Sequence, residues 1–448
     1  MAVSLQRIAC HDMLSLNNAY SEQRVVGQRR IAGDGENINY PLRVLLLTAY
    51  RWPTTTRMAH ALASTGVEVE ALCPAGHSLM QANFISRTYR YNPLMPLRSL
   101  RKSIATCRPD VVIPADDLIT AQLHKLYNLT DAADPAADNL RNLIARSLGR
   151  PENYLTFYVR SQIAQLAQTA GVFSPAVTKI GNENDLFDQL RTVGYPAVLK
   201  TDGSSGGAGV AIVHNEFDAK RAFARLSAPP RIALTLKRLM IDGDANLVLP
   251  CLRRAQSEVS IQPYIAGRQA NIAVACWEGS VLAQVCVEVL SSNGETGPAT
   301  VVRVISHPGM SQAAEKMVGL LNVSGLCGFD FILDSEGAAH LIDFNPRATQ
   351  TCHLISVSGT QPLASLIGRL GGSIVSNDLR TPHTGPIVLF PHGFVRDATG
   401  FYSEHAFSDV PPDAAEFMNF GLEFRRKKSR LLVRVIRSLS RKVDKEDN

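Results

Sequence analysis

Two short runs, Phe329-Asp330-Phe331-Ile332-Leu333 and Leu341-Ile342-Asp343-Phe344-Asn345, are separated by Asp334-Ser335-Glu336-Gly337, and their reading decides the fold. Each run has the length and residue types of a strand, and the polar stretch between them reads as a turn, so together they form a hairpin. Facing residues in an antiparallel pair share a constant index sum, and side chains alternate between faces. With Glu336-Gly337 as a two-residue turn flanked by Ser335 and Ala338, Asp330 falls directly opposite Asp343, and Asn345 lies on the same face. This register puts Phe329, Phe331, Ile342 and Phe344 on the other face, against a core. Two carboxylates side by side repel unless a cation sits between them, and hard oxygen donors suit magnesium. Taken alone, the hairpin is equally a pair of solvated acids on an outer sheet face.

Upstream, Tyr195 to Lys200 reads as a strand ending in a lysine, followed directly by Thr201-Asp202-Gly203-Ser204-Ser205-Gly206-Gly207-Ala208-Gly209. Glycine lets backbone amides close around an anion, and Lys200 adds a positive charge beside them. The lysine precedes the glycines and no GxxxxGK[ST] pattern is present, so this is not a Walker A loop. By itself such a loop is as readily a flexible surface turn.

Further out, Leu42 to Thr48 reads as a buried strand, Arg57 to Ser64 as a helix, and Val67 to Cys73 and Pro109 to Pro114 as further strands. Strand, helix, strand in succession predicts a parallel sheet. The turn after the first strand, Ala49-Tyr50-Arg51-Trp52-Pro53, has no glycine, so it is no dinucleotide fingerprint. A helix is predicted over Thr156 to Ala170 and strands over Ser260 to Ile265, Asn271 to Ala275 and Val281 to Leu290.

The order of these parts resembles the ATP-grasp superfamily, which includes biotin carboxylase, D-alanine–D-alanine ligase and the carbamoyl-phosphate synthase large subunit. The likeness covers about residues 150–375, and more weakly residues 41–125 resemble the Rossmann-like domain that precedes ATP-grasp. The fold class it implies is a multidomain α/β and α+β protein, with a Rossmann-like N-terminal domain followed by an ATP-grasp fold. The domains are then a flexible extension over 1–40, a Rossmann-like domain over 41–150, an ATP-grasp domain over 151–375 and a small C-terminal region over 376–448. The resemblance gives Lys200 a contact to the adenine edge and α-phosphate, and makes Ser204, Ser205, Gly206, Gly207 and Gly209 part of the loop that closes over the phosphates. Arg160 stands where the family has a basic residue, usually lysine. Gln262, Tyr264 and Ile265 lie on the hinge strand that reads adenine, and Gln269 stands where an acid contacts ribose; many members have glutamate at the position of Gln262. Asp330, Asp343 and Asn345 match the metal ligands, with Asp343 shorter than the usual glutamate. Arg347 matches an arginine that contacts phosphate or substrate, and Arg303 one that meets the γ-phosphate.

The implied cofactors are ATP and Mg²⁺, with Mn²⁺ as a substitute. The implied reaction is ADP-forming ligation of a carboxylate to an amine or thiol, with a nucleotide-binding scaffold and a phosphotransferase of the same fold as alternatives. The expected partners are small-molecule carboxylate and amine substrates, and a homo-oligomer is left open.

Composition sets bounds on these readings. Ten of the 46 basic and three of the 40 acidic residues lie in residues 424–448, which leaves 36 and 37 in the rest. The excess charge is therefore confined to one tail, and no nucleic-acid face is expected on the body. That tail reads as a basic amphipathic helix that packs on its own domain, a partner or a membrane surface. No apolar run reaches the roughly 20 residues of a membrane span, and the eight scattered cysteines read as buried thiols, which fits a cytoplasmic protein.

Overall fold

The computed structural model describes residues 41–52, 54–130, 135–201, 209–230, 232–238, 246–254, 256–372, 383–390 and 407–409. The predicted strands near the start form an all-parallel sheet in the order β3-β2-β1-β4, made of β1 (Arg43–Leu47), β2 (Glu68–Cys73), β3 (Arg87–Arg90) and β4 (Val111–Pro114). Parallel neighbours need crossover connections, and here these are α1 (Thr54–Ala63) and α2 (Pro96–Cys107), with α3 (Asp117–Leu129) and α4 (Pro135–Leu148) following. Both faces of the central strands are covered, so β1 and β4 are apolar over residues 44–47 and 111–114, whereas the edge strand β3 is polar. Leu45 and Leu47 pack with Leu100, Ile104, Ile119 and Leu123, while Val44 and Leu46 pack with Met58 and Leu62.

After α5 (Arg160–Thr169) comes a small antiparallel sheet, β5-β8-β6-β7, formed by β5 (Thr178–Ile180), β6 (Ala197–Thr201), β7 (Val210–Val213) and β8 (Val259–Pro263). Its helices α6 (Glu183–Val193) and α7 (Glu216–Ser227) are each started by an asparagine. The Asn182 and Asn215 side chains accept from Asp185 N at 3.0 Å and Asp218 N at 2.9 Å. That capping satisfies a helix-end amide which otherwise has no partner. This unit has its own core, with Leu186, Leu190, Leu199, Val213, Phe223 and Ile261.

The third sheet has seven strands in the order β13-β12-β9-β10-β11-β14-β15. They are β9 (Arg268–Trp277), β10 (Ser280–Ser292), β11 (Ala299–Ile305), β12 (Gly325–Leu333), β13 (Ala339–Asn345), β14 (Pro386–Leu389) and β15 (Phe407–Asp409). Helix α8 (Pro308–Leu321) covers one face and α9 (Pro362–Arg369) the other. Both cores run on into the first sheet: Phe329 and Phe331 share a cluster with Leu45, and Val285 and Val287 share one with Leu46. The N-terminal sheet and the large sheet are thus packed as one body.

Three expectations need correction. The hairpin turn is longer than two residues, because Leu333 pairs with Ala339 and residues 334–338 form the turn. A β-bulge between Asp330 and Phe331 then restores the predicted register, with Asp330 opposite Asp343 and Phe329 opposite Phe344. The bulge inserts Ile342 as an extra residue. Leu341, not Ile342, therefore joins Phe329, Phe331 and Phe344 in the core. The helix predicted from Thr156 is a 3-10 turn over Thr156–Tyr158 followed by α5. Residues 386–389, placed by sequence in a separate C-terminal region, pair with β11 and extend the large sheet. The N-terminal extension and the basic tail lie outside the described residues. The seven described cysteines are free thiols, six of them buried.

Candidate active site

The small sheet turns one face toward the large sheet, and a cavity of about 1270 Å³ lies between them. Strand alternation decides what faces it. On the small sheet Val198, Lys200, Val210, Ile212 and Gln262 line the cavity. Ala197, Leu199, Val213 and Ile261, one residue out of phase, form that unit's core. On the large sheet Asp330, Ile332, Gln269 and Asn271 face inward, consistent with the pairs Asp330–Asn271 and Ile332–Gln269. The ends of all four parallel strands supply the remaining wall, including Ala49, Tyr50, Trp52, Ala75, Tyr91 and Asp117. Ligands in open α/β sheets bind at these carboxyl ends.

Asp330 and Asp343 are direct register partners on adjacent strands. Burial first, and then the neighbouring Asp343 charge, push the Asp330 carboxyl up to about 6. Asn345 Nδ2 donates to Asp330 Oδ2 at 3.0 Å. On the other side Arg160 Nη1 stands 3.6 Å from Asp343 Oδ1. Two opposed carboxylates, one of them reluctant to ionise, make a site with an unmet demand for positive charge. The two carboxylates are hard oxygen donors of the kind magnesium takes, with phosphate oxygens and water completing its shell, and Asn345 Oδ1, which accepts from Arg347 Nη2 at 3.0 Å, has one further lone pair to offer. Among the described residues no cluster of three or more His, Cys, Asp or Glu exists, so a zinc-type site has no counterpart there.

Lys200 is 5% exposed, and its Nζ donates to Ile342 O at 2.8 Å. Ile342 is the extra residue of the bulge and lies on the edge strand, so Lys200 meets the hairpin at that irregularity. Burial pulls the Lys200 ammonium down to about 8, with Asp343 and Asp330 opposing that effect and Arg160 adding to it. A cation held dry beside two carboxylates is set to meet an incoming polyanion without reorganising.

The predicted site residues divide as follows. Arg160, Lys200, Gly209, Gln262, Tyr264, Ile265, Gln269, Asp330, Asp343, Asn345 and Arg347 all line the one cavity. Ser204, Ser205, Gly206 and Gly207 fall outside the described residues. Arg303 is elsewhere. It pairs in register with Glu288, which in turn faces Ala270, so it is one residue out of phase with Asn271 and Asp330. Alternation places it on the opposite face of the sheet, where its Nη2 donates to Glu288 Oε2 at 2.6 Å and Arg268 binds the same carboxylate. Arg347 lines the cavity, but its guanidinium is engaged with Asp117, Ala348 and Asn345.

Sequence reasoning did not single out Asp116 and Asp117, which lie just after β4. Asp116 is fully buried, caps α3 through Ile119 N at 2.9 Å and also accepts from Ala49 N at 2.7 Å, so it ties the ends of β1 and β4 together. Burial raises its carboxyl to about 6. Their position just after a buried parallel strand was the available signal. Asn271 and the stacked Tyr50–Trp52 pair, with ring centroids 5.1 Å apart, had none.

Residues 160–374 match the family profile described as carbamoyl-phosphate synthase L chain, ATP binding domain. The carbamoyl phosphate synthase large chain of Vibrio cholerae is 23% identical over 213 residues, covering 47% of this chain and 18% of that one. The N-terminal section of the Methanopyrus kandleri large chain is 22% identical over 346 residues, covering 72% of this chain and 54% of that one. The chain thus spans between about a fifth and a half of these relatives' length. Among solved structures, the biotin carboxylase domain of Hydrogenobacter thermophilus 2-oxoglutarate carboxylase, in complex with MgADP, ADP and bicarbonate, superposes with a TM-score of 0.53 at 14% identity, covering 78% of this chain and 74% of that one. N5-carboxyaminoimidazole synthetase of Staphylococcus aureus, complexed with ADP, gives 0.52 at 14% identity, with 78% and 82% covered. At such identities the structural likeness establishes the fold, and with the family profile it bears out the resemblance read from the sequence.

Proposed function

We propose that this protein, which has the ATP-grasp fold, is an ADP-forming ligase that activates a carboxylate with ATP and joins it to an amine or thiol. The observation that carries the reading is the convergence of Lys200, Arg160 and the Asp330–Asp343 pair on one cavity. The solved relatives named above were crystallised with adenine nucleotides, one of them with magnesium and bicarbonate as well. In this reading Gln262, Tyr264 and Ile265 hold adenine along β8 and the residues just after it, and Gln269 stands near ribose. Lys200, Arg160 and the amides around Gly209 neutralise the phosphates. Asp330, Asp343 and Asn345 would hold magnesium, which when bound supplies charge neutralisation at the β- and γ-phosphates.

The acid substrate enters from the N-terminal wall, a Rossmann-like arrangement in this reading. Its carboxylate oxygen bonds to the γ-phosphorus as the bond to the β–γ bridging oxygen breaks, which leaves ADP and an acyl phosphate. The nucleophile then attacks the acyl carbon, phosphate departs with the acyl C–O electron pair, and the amine or thiol proton is lost to solvent. No protein nucleophile is needed, because positioning and electrostatic complementarity supply the rate.

Purified protein supplied with ATP, magnesium and pooled carboxylic acids and amines is expected to release ADP and phosphate in equal amounts. AMP with pyrophosphate would contradict the acyl-phosphate route. Nucleotide binding without turnover across a broad pool would favour a binding role over an enzymatic one.

A further inference from the structure

Arg347 is held from two sides. Its Nε donates to Asp117 Oδ1 at 3.0 Å, and Asp117 is the first residue of α3, behind the N-terminal sheet's β4. Its Nη2 donates to Asn345 Oδ1 at 3.0 Å. Asn345 Nδ2 in turn donates to Asp330 Oδ2 at 3.0 Å. The direction of this chain is fixed by chemistry. A guanidinium has donors only, so the amide atom facing Arg347 must be the oxygen, and the atom left to face Asp330 is the NH₂ group. Asp117, by fixing Arg347, therefore sets which end of the Asn345 amide meets the Asp330 carboxylate. The backbone reinforces the arrangement: Ala348 N donates to Pro114 O at 3.0 Å, and Thr120 Oγ1 to Pro346 O at 3.2 Å. The segment that leaves the hairpin is thus bolted to the β4–α3 junction at three points.

We propose that Asp117 is a positioning residue for the metal site: through Arg347 and Asn345 it fixes the Asp330 carboxylate, so that tight magnesium–nucleotide binding depends on contact with the N-terminal sheet. The inference rests on the nucleotide-and-metal part of the function proposed above, not on ligation. Arg347 is the partner one step removed from the ligand Asn345, and loss of such a partner typically costs about 10- to 100-fold in metal affinity; Asp117 acts by holding Arg347 in place. Asp117 has no hydrogen bond to Asp330, Asp343 or Asn345, and although an acid in the first turn of α3 also suits the helix dipole, that role would not change metal affinity.

The test is a Mn²⁺ titration followed by electron paramagnetic resonance on the full chain saturated with ADP, beside ADP affinity measured in EDTA. Asp117→Asn is expected to weaken Mn²⁺ binding about 10- to 100-fold and to leave metal-free ADP affinity unchanged. Asp117→Glu should recover most of the loss. Arg347→Lys, which keeps the charge but loses the forked geometry, should weaken Mn²⁺ as Asp117→Asn does, and it serves if that variant folds poorly. Unchanged Mn²⁺ affinity in Asp117→Asn overturns the proposal, as does a parallel loss of metal-free ADP affinity, which would mark a general structural defect. A wild-type protein that binds ADP but no Mn²⁺ overturns the metal assignment and this inference with it. A wild-type protein that binds both yet ligates nothing overturns only the proposed reaction.

Discussion

The hairpin with Asp330 and Asp343 and the small sheet with Lys200 face each other across one cavity but are anchored in opposite ways. The hairpin's buried face, Phe329, Phe331 and Phe344, belongs to the same core as Leu45 and Leu47 of the N-terminal sheet. The small sheet packs on its own helices in a separate cluster. A polar link joins it to the hairpin, from Lys200 Nζ to Ile342 O. The anionic half of the site, together with Arg160 on α5, is therefore fixed in the body of the protein, while Lys200 sits on a unit with a core of its own. Such a division suits closure over a nucleotide: metal geometry tolerates little looseness, whereas a charge that meets phosphate must open to admit it.

The largest effect expected from this contrast is on the rigid side. Asp343→Ala should lower metal-dependent turnover by about 10²- to 10³-fold or more while the fold is retained, as judged by kinetics beside circular dichroism. Full activity in that variant would break the assignment of the anionic half. Next comes Lys200→Met on the small sheet, which should weaken ADP binding by about 10- to 100-fold by calorimetry, on the scale of a lost charge-assisted hydrogen bond. An unchanged affinity would mean that the small sheet does not deliver its charge to the phosphates.

A third prediction concerns stability and pH. Because the Asp330 carboxyl is raised to about 6 in the folded protein from an ordinary 3.8, the folded state holds this proton more tightly than the unfolded one. That contribution is complete below pH 3.8 and disappears as pH rises through about 6. In EDTA at neutral pH, Asp330→Asn should thus be more stable than wild type by about 1–3 kcal/mol in urea unfolding, with the gap closing toward pH 4. A gap independent of pH would show that Asp330 carries no such load. The smallest effect is expected from Arg303→Gln. On the outer face it should change kcat/KM by less than about twofold and stability by no more than about 1 kcal/mol; a large loss of activity would return Arg303 to the site.

How much of this was legible in the sequence differs between the same two regions. The opposition of Asp330 and Asp343 was read correctly, but through a two-residue turn where residues 334–338 form one of five, and without the bulge that compensates for it. The bulged residue's carbonyl is bound by Lys200, which lies 142 residues upstream, and no local pattern encodes an approach of that kind. Ile342 was for that reason assigned to the core. Arg303 failed for a related cause: its face depends on register passed from β12 through β9 and β10 to β11, and a single strand shows only that it alternates. Lys200 was legible because a strand ending in a cation before glycines is a local signal, whereas Gln262, Tyr264 and Ile265 came from the family resemblance alone. Asp117 was not, because its partner Arg347 lies 230 positions away.

The proposed site grips a nucleotide between Lys200 and a divalent ion at the paired aspartates. A crystal structure of the protein with Mn²⁺ and a non-hydrolysable ATP analogue tests it most directly, through the anomalous signal of the ion. The predicted result is a peak between the Asp330 and Asp343 carboxylates with the triphosphate lying toward Lys200. A peak elsewhere, or a nucleotide bound with the aspartate pair empty, would contradict it.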